Sequence, residues 1–148
     1  MQKNLFKAVI AGLVATFAMT LLMIMAPMMG MPEMNIGKML GMFMGMPEFL
    51  GWAGHFMIGA ILAIIYVYVF AQKLPGGNVL RGVLFGFIPW LIAQLMMNPM
   101  MGAGIFASNT PDPVAMVMGS LMGHIVYGAV LGAIYRVKSI NQATAVIA

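Results

Sequence analysis

Two histidines, His55 and His124, occupy matching points of a segment that occurs twice in the chain. Gly54-His55-Phe56-Met57-Ile58-Gly59-Ala60-Ile61-Leu62-Ala63-Ile64-Ile65-Tyr66 aligns with Gly123-His124-Ile125-Val126-Tyr127-Gly128-Ala129-Val130-Leu131-Gly132-Ala133-Ile134-Tyr135, with seven of thirteen positions identical and no histidine elsewhere. Neutral imidazole is a common metal ligand and proton carrier. Each ring sits in a stripe of small residues at a spacing of four: Gly51, His55 and Gly59 in one copy, Ser120, His124 and Gly128 in the other. On a helix that spacing stacks the small residues above and below the imidazole on one face. If the two rings face each other, they can ligate a haem b, with Gly51, Gly59, Ser120 and Gly128 making room for the macrocycle. The competing expectation is plainer and ranks ahead of it. Both histidines are neutral packing residues, hydrogen-bonded to a neighbouring helix, with Thr16, Thr20 and Gln94 as partners.

Two further sets of residues invite chemistry. Eleven of the 20 methionines fall between Met19 and Met46, and Met96, Met97, Met100 and Met101 lie at a corresponding level later in the chain. Thioethers suit Cu(I), so Met28, Met29, Met31, Met100 and Met101 are candidate copper ligands. Methionine is also an adaptable packing residue, and the irregular spacing favours that use. Thr16 and Thr20, and likewise Gln94 and Asn98, are one turn apart. With Pro89 and Pro99 they form a candidate solute path or quinone-head site, or ordinary interhelical hydrogen bonds. No acidic residue lies inside an apolar stretch, which argues against an ion-coupled transporter. No Ser/His/Asp set, phosphate loop or metalloprotease motif is present, so no catalytic residue is expected.

The elements that carry these residues follow from composition. Of 148 residues, 63% are apolar and 7% charged, against about 25% charged in soluble domains, and the mean hydropathy is +1.01. Four apolar stretches, roughly 6–29, 49–71, 79–101 and 113–135, approach the ~20 residues that a helix needs to cross a bilayer. The first follows Lys3 and Lys7 as a signal peptide would, but its uncharged run from Ala8 to Pro32 is too long for an h-region. A shorter segment, Asn35–Met44, is expected to lie as a helix at the outer interface. Leu74-Pro75-Gly76-Gly77-Asn78 is a turn, and the residues after Lys138 are expected to be a frayed end or a short extension.

Charge orients the chain. Lys3, Lys7, Lys73, Arg81, Arg136 and Lys138 fall on one side of the four stretches, and Glu33, Lys38, Glu48 and Asp112 on the other. The positive-inside rule places both termini in the cytoplasm of a cell membrane. The pI of 9.7 then reports topology, and no nucleic-acid partner is expected. The absence of cysteine removes disulfides and thiolate ligands. Tyr66, Tyr68 and Tyr135 suit an inner aromatic belt, and Trp52 an outer one.

The repeat extends to the preceding helices: Asn4, Lys7, Val9, Gly12 and Leu21 align with Asn78, Arg81, Val83, Gly86 and Leu95, and Pro27-Met28-Met29-Gly30 with Pro99-Met100-Met101-Gly102. The expected fold is an all-α integral membrane domain spanning 1–148. It consists of two tandem helical hairpins, about 4–73 (with an insert at 31–48) and about 78–138, related by a pseudo-twofold axis along the membrane normal. Gly12-Leu13-Val14-Ala15-Thr16-Phe17-Ala18-Met19-Thr20, followed by the Gly-His-x3-Gly helix, resembles small four-helix bacterial membrane proteins grouped as domains of unknown function. That resemblance implies no activity. The expected function is a small non-catalytic subunit that packs in the lipid bilayer against other integral membrane subunits, with a respiratory or electron-transfer complex as host. The alternatives are a bis-histidine b-type haem carrier and a methionine-rich copper-handling protein.

Overall fold

The computed structural model describes residues 4–137 and is helical, with no strand among them. The extension after Lys138 lies outside the described residues. Helix α1 (Leu5–Met25) starts at Asn4, whose side chain accepts the Lys7 N–H at 2.9 Å, the usual way to satisfy a free donor of the first turn. It tightens into a 3₁₀ turn, Ala26–Met29, and stops at Gly30 with φ +79°. Helix α2 (Ile36–Met44) is capped by Asn35 and ended by left-handed Gly45. Helix α3 (Glu48–Ile65) continues through a wide π-type turn, Tyr66–Phe70. Helix α4 (Asn78–Ile92) carries Pro89 inside it and widens into a second π-type turn, Ala93–Met97, before the single turn α5 (Asn98–Met100). Helix α6 (Pro113–Ile134) is capped by Asp112, which accepts the Ala115 N–H at 3.0 Å.

Four helical stretches are long and apolar enough to cross a membrane: Leu5–Met29, Glu48–Phe70, Asn78–Met100 and Pro113–Ile134. Each falls within two residues of its expected bounds. Within them, α1 packs on α3 and on α6, and α4 packs on α6. The π-type turn after α3 meets α4, where Phe85 lies 5.2 Å from the Tyr66 ring and 5.4 Å from that of Phe70. One end of the bundle carries Lys7, Lys73, Arg81 and Arg136, and the other carries Glu33, Glu48 and Asp112 together with α2. We refer to these as the basic and acidic ends. Helix α2 folds onto the start of α3, burying Gly37, Leu40 and Gly41.

The tight contacts are made at glycine. A Cβ on Gly12 would sit 2.6 Å from the Ala63 Cβ and 2.8 Å from the Gly59 carbonyl oxygen. Between α4 and α6, Gly82 rests on the Gly128 carbonyl, Gly86 on that of His124, and Gly132 on that of Asn78. Apolar attraction between helices is weak in lipid, so close backbone approach and its dispersion contacts hold such pairs together. Tyr66 and Tyr135 are buried, at 0% and 5% exposure, and only Tyr68 is exposed. The belt expectation for the first two gives way to helix geometry. Tyr66 shares a face with Ala63 and Gly59, and Tyr135 with Leu131 and Gly128, so both turn inward.

Gly128→Ala drives a methyl into the Gly82 backbone and is expected to cost about 1–3 kcal/mol of unfolding free energy in detergent. Gly54→Ala, whose added carbon meets only the Met44 methyl at 3.4 Å, is expected to leave the unfolding midpoint unchanged or raise it slightly.

Candidate functional site

A cavity of about 490 Å³ lies among the helices toward the acidic end. Helices α1, α3, α4 and α6 form its sides, and Ile36, Met39 and Leu40 of α2 contribute to its wall. Leu62 and Pro89 line it about one turn from the Tyr66–Phe85 aromatic contact toward the basic end. The wall is apolar except where a few polar side chains converge, and both histidines are among them.

Helix α6 and the end of α4 form one side. The Asn98 amide donates to Gln94 Oε1 at 2.9 Å, and the Gln94 amide donates to Ser120 Oγ at 3.2 Å. His124 Nδ1 lies 2.8 Å from the Ser120 carbonyl oxygen. A carbonyl only accepts, so Nδ1 carries the proton and Nε2 keeps a lone pair. The π-type turn after Pro89 carries Gln94 and Met97, and with Asn98 and Met101 beyond it they line the cavity.

Helix α3 forms the other side. His55 Nε2 lies 3.2 Å from Thr20 Oγ1 of α1, both groups buried. The imidazole stands edge-on to Trp52 and Phe56, with centroids at 6.1 and 5.8 Å. Across the centre, Tyr127 Oη of α6 donates to the Gly59 carbonyl of α3 at 2.6 Å. This bond ties together two helices that both pack on α1. The Thr16 hydroxyl satisfies itself within α1, donating to the Gly12 carbonyl at 2.8 Å.

The structure thus brings His55, His124 and Ser120 to one cavity, and Thr20 is the partner of His55. The remaining small residues are used differently from the expectation. Gly51 is covered by the Gly37 carbonyl of α2, Gly128 by Gly82, and Gly59 lines the cavity with its own face closed by Thr16. These three glycines let helices meet. The methionine set divides as well. Met28, Met29 and Met100 point outward, at 85%, 76% and 59% exposure. Met31 lies against α6 at Gly119, and only Met101 lines the cavity. The other thioethers that line it are Met19, Met23, Met34, Met39, Met97 and Met116. Part of this was readable. Gln94, Met97, Asn98 and Met101 follow the i, i+3, i+4, i+7 spacing of a single helical face, as do Thr16, Met19, Thr20 and Met23. Among the described residues, no group of three or more His, Asp or Glu side chains is placed to hold a metal ion.

A family model described as a family of unknown function (DUF6789) matches residues 2–146, and the chain belongs to that family. No curated protein and no solved structure matches it.

Thr20→Val leaves His55 Nε2 without its hydroxyl partner and is expected to cost about 1–3 kcal/mol. Tyr127→Phe frees one carbonyl that is already bonded within its helix, and the expected cost is smaller, about 1 kcal/mol. Equilibrium unfolding in mixed micelles reads both.

Proposed function

We propose that the protein is a non-catalytic membrane subunit whose cavity holds an uncharged, mostly apolar ligand with a hydrogen-bonding head, of the quinone class. The carrying observation is the convergence of His124, Gln94 and Ser120 with His55 on one apolar cavity of about 490 Å³. That volume lies within the roughly 300–1,000 Å³ of small-molecule sites, which pair an apolar wall with a few fixed polar groups. The polar groups offer both senses of hydrogen bond. The Gln94 amide and Ser120 hydroxyl donate to a quinone carbonyl, and the bare His124 Nε2 accepts from a quinol hydroxyl. No Asp, Glu, Lys or Arg lines the cavity, which suits a neutral ligand in a low-dielectric interior.

This reading keeps the expected setting: a multi-pass subunit of a cell membrane, both termini cytoplasmic, packed against other membrane proteins of an electron-transfer chain. We read the two hairpins as copies about a pseudo-twofold axis along the membrane normal. In support, α1 pairs with α3 and α4 with α6, and a 74-residue offset, the one separating Gly12 from Gly86, carries Thr20 onto Gln94. A second reading, a b-type haem between His55 and His124, draws on the shared cavity and the free His124 Nε2. It requires His55 to release Thr20, and no basic side chain in the cavity lining could hold the propionates.

Two measurements on the full chain in mild detergent separate these readings. In the first, decylubiquinone is titrated while tryptophan emission is followed, since Trp52 stands beside His55. Saturable quenching is expected. Gln94→Leu and His124→Leu should each weaken it about tenfold, or about 1.4 kcal/mol. The second is a dithionite-reduced minus oxidised spectrum, expected to be featureless. A sharp α-band lost in His55→Ala and His124→Ala would replace the quinone with haem. Neither band nor saturable quenching would leave a packing subunit with no ligand.

A further inference from the structure

Arg81 stands in the first turn of α4 at the basic end and is 8% exposed. A guanidinium is charged at every physiological pH and carries five N–H donors. One hydrogen bond is formed here, from a terminal nitrogen of Arg81 to the Ala71 carbonyl at 3.3 Å, and the buried Nε has no partner. The Tyr66 hydroxyl is also buried and has no partner. Phe85, one turn after Arg81 on α4, contacts the Tyr66 ring at 5.2 Å between centroids.

A buried cation is retained when an anion or a full set of acceptors meets it. The chain has no carboxylate side chain to offer. Its three acids are Glu33, Glu48 and Asp112, and all stand at the far end of the bundle. The one acceptor that Arg81 engages is the Ala71 carbonyl. The start of α4 adds further donors, since Gly77 caps it without a side-chain hydrogen bond and its first N–H groups carry the positive end of the helix dipole. The unmet groups are therefore the Arg81 Nε donor and a Tyr66 hydroxyl that can donate or accept, near the basic end of the bundle.

We propose that Arg81 and Tyr66 form a site for a phosphate-bearing anion at the basic end of the bundle. Phosphate fits better than carboxylate. Arginine engages phosphate through paired donors, and a tetrahedral anion has oxygens to spare for a hydroxyl donor such as Tyr66. Phospholipid headgroups present that chemistry at this depth, and basic pockets between membrane helices take them up. The site is independent of the histidine-lined cavity and stands or falls separately from it.

The test uses the full chain, delipidated in detergent, with thermal unfolding and native mass spectrometry as readouts. Dioleoylphosphatidylglycerol, dioleoylphosphatidylcholine and inorganic phosphate are added separately. Phosphatidylglycerol is expected to raise the unfolding midpoint by several degrees and to remain bound as one molecule per chain. Arg81→Gln should lose both effects, and Arg81→Lys should keep part of them. Tyr66→Phe retains the charge and the ring, so it covers the case in which Arg81→Gln does not fold; it should weaken retention severalfold. A shift from inorganic phosphate alone supports the site with a free anion as its occupant, whereas a shift from phosphatidylglycerol only supports a lipid. Equal retention by wild type, Arg81→Gln and Tyr66→Phe overturns the proposal. So does an Arg81-dependent protein partner that binds in place of any phosphate.

Discussion

The bundle depends on backbone meeting backbone at glycine. Gly12 of α1 against α3, and Gly82, Gly86, Gly128 and Gly132 between α4 and α6, bring each hairpin to a separation that any side chain would forbid. Two such tight pairs cannot also be tight against each other everywhere. They meet along α1 and α6, and at the aromatic cluster of Tyr66, Phe70 and Phe85. Toward the acidic end the larger residues Met19, Met23, His55 and Met97 stand where small ones would be needed for closure. The cavity is the volume left over, and close packing elsewhere keeps it from collapsing.

Inside that volume, polar groups are held by partners chosen along the chain as well as across it. His124 and Thr16 each bond to the carbonyl four residues earlier, so each is satisfied within its own helix. His55 and Tyr127 reach other helices and fix how the helices are rotated. A helix that turned about its axis would strand the His55 nitrogen or the Tyr127 hydroxyl in an apolar interior, at a cost comparable to a whole glycine contact. The two histidines, alike in sequence, therefore have different duties: one orients helices, and the other presents an unused lone pair to the cavity.

The four long helices were legible because crossing length and hydropathy leave few other options for such a chain, and Asn35 and Gly45 bound α2 with ordinary capping chemistry. The pairing of His55 with Thr20 was also within reach, since few hydroxyls lie at that depth. What stayed hidden depended on rotation about helix axes. Hydropathy is nearly uniform around these helices, because one face meets lipid and the other meets protein. Periodicity therefore could not show that Met28 and Met100 face outward while Met19 and Met97 face in. The same blindness made Gly51 and Gly128 look like space for a ligand when they are spaces already filled by other helices. Arg81 looked like a topology marker, and only its burial and its bond to the Ala71 carbonyl show that it is enclosed.

A wall built so largely of unbranched thioethers has a consequence for discrimination. Met19, Met23, Met34, Met39, Met97, Met101 and Met116 each have several rotatable bonds and a polarizable sulfur, so they remould around whatever apolar body lies against them. Such a lining sets no strict template. Tails of different length or branching would cost similar amounts to accommodate, and shape would contribute little to choice among them. Selectivity would then rest on the few groups that cannot remould: the Gln94 amide fixed between Asn98 and Ser120, and the His124 ring fixed by its own helix. On the quinone reading proposed above, a single exchange at one of those positions would change which headgroup is accepted while leaving the deformable wall untouched.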